Sequence, residues 1–348
     1  MDYGRIADLP VSIESHDLTL NERKTSSGFE RVTTTITLRG EGTVGRGEDV
    51  TYDAEDHRAL AASTPLSFAG EYTIDSFSET VGEMNLFPSG PQRPPSRRYR
   101  RWALESAALD LALKQAGTSL AEALDRSFDP VRYVVSTRLD EPPSTDRLDA
   151  ILESYPDVTC KLDPTVEWSP ELIEAVAERD AVRTLDLKGQ YAHADVHQPA
   201  NPSLYERLVR TFPGVIIEDP AVTEATRPLL ADQVDRLAWD VPVEGVESLG
   251  VLPFEPHWIN VKPSRIGTIE DLCGVVSYCE EHGIGMYGGG QFELDVGREQ
   301  IQALASLCYP DAPNDVAPKG FNDPEVDPGL PASPLQPPAA EPGFGASE

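Results

Sequence analysis

The sequence predicts an α/β protein, a barrel of parallel strands with outer helices, behind a separate α+β unit. Three observations carry that reading. From about residue 130, short apolar runs alternate with stretches whose apolar residues recur at helical spacing. Seven such runs occur, and an ionisable residue stands at the C-terminal end of almost every one. Before residue 130 the order differs, with β-branched alternation followed by a long helical pattern. A chain of 348 residues has room for a barrel and an accessory domain.

The elements follow in order. Residues 1–127 form the N-terminal unit. Within it, TTTITLRGEGTVGRGEDVTY starts as an alternating strand and turns glycine-rich, which predicts a hairpin and a flexible loop. SRRYRRWALESAALDLALKQAGTSLAEAL then predicts a long helix, a stop at Gly117 and a second short helix. Residues 128–324 form the barrel domain, with strands expected at VRYVVST, VTCKL, VRTLDL, GVIIED, RLAWD, WINVK and GIGMY. Helices are expected at SPELIEAVAER, NPSLYERLVRTF, TEATRPLLADQV, TIEDLCGVVSYCEEHG and VGREQIQALASLCY. This alternation implies a parallel sheet with helices outside, and seven strands favour a barrel over a doubly wound sheet. No GxGxxG loop follows the first strand, and GGGQ at 288–291 is weak as a nucleotide motif. Residues 325–348 are rich in Pro, Gly and Ala, which predicts a disordered tail.

Composition excludes several classes. The 59 acids against 29 bases give a formal charge of -30, which argues against nucleic acid as a partner. No apolar run approaches the roughly 20 residues of a membrane span, and MDYGRIADLP lacks the pattern of a signal peptide. The expectation is a cytoplasmic protein without membrane contact. Four cysteines, with no CxxC pair, read as buried thiols. There are six lysines, Lys24, Lys114, Lys161, Lys188, Lys262 and Lys319, and three of them close strand-like runs. A surface role does not select for that placement.

Barrel chemistry lives at the C-terminal ends of strands. There the sequence places Lys161 and Asp163, Asp186 and Lys188, Glu218 and Asp219, Asp240, Lys262 and Glu293. One aspartate at a strand end is ordinarily a helix cap. Three carboxylates from successive strands need another account, because without a cation they repel. Asp186, Glu218, Asp240 and Lys262 are spaced 32, 22 and 22 residues apart, about one strand-helix unit each. A hard divalent ion, Mg²⁺ or Mn²⁺, held by Asp186, Glu218 and Asp240 resolves the repulsion. Lys262, on the next strand, is then placed to move a proton.

At these residues the sequence resembles the enolase superfamily, in its muconate-lactonizing and L-Ala-D/L-Glu epimerase-like branch. LDLKG, IIEDP and LAWD stand where that family has its three metal ligands, and INVKPSRIGT resembles the segment with its catalytic lysine. GGGQFELDVGREQIQALASL resembles the end of the seventh strand, which puts Glu293 and Gln291 near the substrate. The resemblance implies a modified TIM barrel, (β/α)7β-like, under an N-terminal α+β capping domain. It implies Mg²⁺-assisted abstraction of a proton alpha to a carboxylate, of epimerase, dehydratase or cycloisomerase type, on a small-molecule substrate in a homo-oligomer.

The second strand of that branch usually ends Lys-x-Lys and the third Asp-x-Asn. Here they read Lys161-Leu162-Asp163 and Asp186-Leu187-Lys188. Side chains repeat every two residues along a strand, so Asp163 and Lys188 could face each other in the barrel mouth. Two readings follow: a swapped pair in which Lys188 or Asp163 supplies a second acid/base, or a structural ion pair that leaves Lys262 as the base. Specificity is expected from GEGTVGRGEDVTY and from RPPSRRYRR, the latter also reading as a helix entry, with Trp168, His193 and His197 as candidate pocket residues. A non-catalytic carboxylate-binding or scaffold protein is the competing class.

Acids spread along the whole chain predict a solvated acidic surface like that of salt-adapted proteins. Thermal melting in low salt and in molar KCl checks this, with the higher melting temperature expected in KCl.

Overall fold

The computed structural model describes residues 1–348 except 27, 63–65, 192–195, 340 and 346–348. The N-terminal strands are β1 (Pro10–Ile13), β2 (Ser15–Lys24), β3 (Glu30–Gly40), β4 (Thr43–Asp49) and β5 (Gly70–Thr73). β2, β3 and β4 make an antiparallel sheet in chain order, and β1 pairs with β5. Helices α1 (Ala54–Ala62), α2 (Ile74–Glu83), α3 (Ser96–Ala116) and α4 (Leu120–Leu124) complete this unit. Gly117, at φ 65°, ends α3 in the left-handed conformation that glycine adopts without strain.

The glycine-rich stretch after β3 differs from expectation. Only Glu41 and Gly42 form the turn, both at positive φ, and the rest is strand β4. The glycines serve packing. A Cβ on Gly45 would lie 2.3 Å from Ala107 O of α3, and one on Gly47 would lie 2.0 Å from Ala103 O. The small face of α3 and the bare face of β4 therefore meet backbone to backbone. Under this contact Arg100 pairs with Asp49 at 2.7 Å, both buried, and its guanidinium also donates to Leu86 O and Asp56 O.

The barrel strands are β6 (Val134–Thr137), β7 (Thr159–Leu162), β8 (Val182–Asp186), β9 (Ile216–Glu218), β10 (Leu237–Trp239), β11 (Trp258–Val261) and β12 (Gly285–Gly288). All seven expected strands form, parallel and in chain order. Asn314 and Asp315 close the ring, with one bridge to Tyr133 ahead of β6 and another to Gly289 after β12. The outer helices are α5 (Asp146–Ser154), α6 (Pro170–Glu178), α7 (Pro202–Thr211), α8 (Arg227–Ala231), α9 (Val246–Leu249), α10 (Pro263–Ile266), α11 (Ile269–His282) and α12 (Val296–Cys308). α8 is shorter than its periodicity suggests and passes into a 3-10 turn. No helix among the described residues is long and apolar enough to cross a membrane. All four cysteines are free.

Two glutamates of the N-terminal unit fix it on the barrel. Glu48 of β4 accepts from the amides of Leu294, Asp295 and Gly297 at the start of α12. Glu105 of α3 accepts from Ile269 N at the start of α11. Helix starts have unpaired N–H groups and favour negative charge, so each buried carboxylate meets a ready partner.

The expected disordered tail is a correction. Residues 325–339 and 341–345 lie along the body of the protein, and residues 340 and 346–348 of the expected tail lie outside the described residues. Tyr133 Oη donates to Pro331 O, Tyr155 Oη to Asp327 O, Leu335 pairs with Val131, and Gly343 with Ser119. Phe344 is buried against Trp102, and its amide donates to Asp110. Composition shows that such a segment cannot build a core of its own. It does not exclude one that adds two apolar anchors, Leu335 and Phe344, to an existing core.

Proteinase K is therefore expected to spare residues 325–345 in the intact protein, and Phe344→Ala to release them. Mass spectrometry of the fragments reads the outcome. Loss of the fully buried ring costs up to about 3–5 kcal/mol, less whatever the detached segment regains in entropy.

Candidate active site

The barrel interior is built by parity. Ile216, Ala238 and Tyr287, with Trp258 and Ala312 against them, form an apolar floor. Two residues further along their strands, the same inward direction carries Glu218, Asp240, Asn260 and Gly289. Asp186 of β8 is in register with Glu218. Asp186, Glu218 and Asp240 are all fully buried.

Cations stand directly on these carboxylates. Lys161 Nζ lies 2.6 Å from Glu218 Oε1, 3.3 Å from Asp186 Oδ2 and 3.3 Å from Asp315 Oδ2. Lys262 Nζ donates to Asp240 Oδ2 at 2.8 Å, and Arg265 Nη1 pairs with Asp240 Oδ1 at 3.1 Å. Lys188 Nζ donates to Asp186 Oδ2 and lies 3.5 Å from Asp163 Oδ1. Asp163 also receives Arg138 Nε at 3.0 Å on the rim. The two exchanged residues thus do face each other in the mouth.

Burial works against every charge here, and the neighbours decide each outcome. Burial lowers the affinity of Lys161 for its proton, but Glu218, Asp186 and Asp315 outweigh this and hold its pKa well above the ordinary lysine range. Lys188 is raised in the same way, by Asp163 and Asp186. Burial raises Asp186 and Asp240, yet Lys188 and Lys161 bring the first well below the carboxylate range, and Arg265 and Lys262 the second. Glu218 goes the other way. Burial, with Asp186 and Asp240 adding to it, lifts it to about 8 despite Lys161. Asp219 is lifted to about 7 by burial and the same two aspartates. Glu218 and Asp219 therefore keep their protons to a higher pH than ordinary carboxyls.

An all-oxygen donor set on three adjacent strands is what fits a divalent cation. Asp240 Oδ1 has the Arg265 ion pair at 3.1 Å but no well-directed hydrogen bond among the described residues. As they stand, however, no three His, Cys, Asp or Glu side chains among the described residues are grouped to hold an ion. Ammonium groups lie against these carboxylates.

Other expected residues fall elsewhere. Glu293 pairs with Arg298 at 3.0 Å and accepts from Gln291 N at 2.5 Å, which turns it back into its own loop. Gln291 faces the N-terminal unit, accepting from Tyr52 Oη at 2.7 Å and reaching Tyr99 Oη. Trp168 is a core residue, His197 is on the surface, and His193 lies outside the described residues. The basic cluster is largely paired, Arg98 with Glu244, Arg100 with Asp49 and Arg101 with Glu105, as the helix-entry reading requires.

Sequence reasoning passed over Arg265, Asp315, Tyr191 and Tyr287. Tyr287 Oη donates to Glu218 Oε2 at 2.5 Å, and Tyr191 Oη to Asp240 Oδ2 at 2.9 Å. Tyr287 closes its strand run with inward parity and was within reach of the pattern. Asp315 follows no strand-like run, and only ring closure brings it in.

Comparisons place this geometry among known proteins. Two family descriptions match, "Domain of unknown function (DUF8230) N-terminal domain" over residues 4–123 and its C-terminal counterpart over residues 127–323. The o-succinylbenzoate synthase of Bacillus subtilis (strain 168) is 27% identical over 286 residues, covering 79% of this chain and 75% of that protein. An N-succinylamino acid racemase of Amycolatopsis sp is 27% identical over 230 residues, covering 63% and 60%. The muconate lactonizing enzyme of Pseudomonas putida superposes with a TM-score of 0.69 at 19% identity, covering 97% of each chain. An enolase superfamily member from Listeria innocua superposes with a TM-score of 0.69 at 20% identity, covering 97% and 95%. The fold is the enolase-superfamily fold, and the relatives are enzymes of its muconate-lactonizing-like branch.

The raised Glu218 and Asp219 set a pH dependence. Their folded pKa values lie above the unfolded ones, so the folded state binds more protons between about pH 4.5 and 8, and stability falls as pH rises through that window. Chelator-treated protein should melt at a higher temperature at pH 5 than at pH 8, and Glu218→Gln should flatten the slope.

Proposed function

Because the chain belongs to the DUF8230 family and carries the enolase-superfamily fold, we propose that it is a divalent-metal-dependent lyase or isomerase that removes a proton alpha to a carboxylate. One observation carries the reading. Asp186 and Glu218 end two adjacent strands, Asp240 directly follows the third, and Lys262 directly follows the next with its Nζ 2.8 Å from Asp240. Asp186, Glu218 and Asp240 would hold Mg²⁺ or Mn²⁺. Such an ion would offset the charge that builds on a substrate carboxylate as its alpha proton leaves.

The chain's own residues do the rest. Lys262 Nζ takes the proton. Lys161, held by Glu218, Asp186 and Asp315, keeps a fixed positive charge in the mouth. Gln291, on Tyr52 and Tyr99, ties the substrate side of the barrel to the N-terminal unit. Glu293 acts through Arg298 and the Gln291 amide, positioning this loop.

Asp163 stands where the branch has its second lysine, and Lys188 is engaged by Asp186 and Asp163. We take this pair as an ion pair rather than a second acid/base. One base favours elimination or cycloisomerisation over racemisation, which needs proton transfer on both faces. The two relatives' names share a succinyl-bearing carboxylate, which makes that class the first to test.

Incubation in D₂O with Mg²⁺ and candidate carboxylates, read by mass spectrometry, tests the reading. Deuterium is expected at the alpha carbon of one compound or its product, and Lys262→Ala should lose about 100-fold or more. Lys188→Ala should stay within about threefold at saturating Mg²⁺. No labelling in any compound, with metal bound, would favour the carboxylate-binding or scaffold reading.

A further inference from the structure

Lys188 is the residue in the mouth whose place needs an explanation of its own. Its backbone is left-handed, at φ 52°, a conformation that is strained for a non-glycine residue. Its amide is held by Asp186 Oδ1 at 3.1 Å, two residues back. This turn folds the side chain over the strand end it has just left, so Nζ reaches Asp186 Oδ2. A second acceptor, Asp163 Oδ1, is 3.5 Å away, and the Tyr191 ring centroid is 5.0 Å away. The two acceptors differ. Asp186 is fully buried, whereas the Asp163 and Lys188 side chains keep 13% and 14% of their surface exposed at the rim.

We propose that Lys188 is a built-in competitor for the divalent ion at Asp186, with Asp163 as the place its ammonium moves to when the ion binds. The proposal rests on Asp186 being a ligand of that ion, as read above. An ammonium and a divalent cation cannot share one buried carboxylate oxygen, because like charges a few Å apart repel strongly where water is excluded. Displacement of Lys188 is therefore part of ion binding. Its cost is set by how well Asp163, shared with Arg138, receives the ammonium. The exchanged residues on the second and third barrel strands then act together: one resists the ion, and the other moderates the resistance. By contrast Lys161, gripped by three carboxylates, has no comparable second position.

Calorimetric titration of chelator-treated protein with Mn²⁺ tests this at fixed pH and salt, with no substrate needed. Lys188→Met should tighten Mn²⁺ binding by about tenfold or more, the scale of one relieved charge contact. Asp163→Asn, a rim change that leaves the buried layer intact, should weaken it by about threefold or more. In the double variant the effect of Asp163→Asn should vanish, since it acts only through Lys188. Equal or weaker binding in Lys188→Met, or an Asp163→Asn effect that persists in the double variant, overturns the proposal. If Asp186→Ala binds Mn²⁺ as wild type does, the ligand reading itself fails. That result is separate from one in which Asp186 matters and Lys188 does not.

Discussion

Everything in the barrel mouth depends on the ammonium of Lys161. It is almost fully buried, 2% exposed, and lies against Glu218, Asp186 and Asp315. Taking a charge out of water costs several kcal/mol unless partners replace the water. The carboxylates meet that demand, and Lys161 in turn allows them to stand together. Asp186 and Glu218 come from neighbouring strands, and Asp315 from the segment that closes the ring. Removal of Lys161 would leave two buried acids, Asp186 and Glu218, and the partly exposed Asp315 facing one another. The same ammonium thus ties barrel closure to the charge state of the site.

The second constraint is the seat of the N-terminal unit. Glu48 and Glu105 each enter the barrel layer as acceptors for helix starts. Arg31 adds to this. Its guanidinium is wholly buried and donates to Thr51 O and Val50 O on its own side and to Gln291 O and Phe292 O on the other. Backbone carbonyls, together with the face of Tyr52 at 4.6 Å, replace its water. The loop from Gly289 to Asp295 is consequently held from above by Arg31 and Glu48 and from below by β12. Its strain shows at Phe292, with φ 57°. A substrate in the mouth would meet a roof whose position is fixed by buried polar contacts rather than by a loose apolar face.

How far the sequence reached can be judged from particular residues. The seven strands were legible because each is a short apolar run bounded by turns, and Lys161 and Asp186 lie within strands whose side chains repeat every two residues. Asp163 and Lys188 lie just past the strand ends, and the left-handed turn at Lys188 sets where its side chain goes. The order of Asp186, Glu218, Asp240 and Lys262 was legible because each closes the strand-like run of a successive strand-helix unit, 32, 22 and 22 residues apart. Gly45 and Gly47 were misread as loop residues. A glycine that admits a helix backbone looks, in one dimension, the same as a glycine that bends a chain. The tail was misread because composition measures what a segment can bury alone, whereas Leu335 and Phe344 bury against surfaces made elsewhere.

The sequence by itself determined the barrel, the order of its charged strand ends and the exchange of Asp163 and Lys188 between neighbouring strands. These are local properties, set by side-chain period and unit length. Only the tertiary structure decided which charge faces which: that Lys188 turns back onto Asp186, that Asp315 joins Lys161 through ring closure, and that Glu293 turns to Arg298. Such choices depend on distances of a few Å between segments far apart in the chain. Coulomb energy changes steeply over that range, and no sequence spacing encodes it.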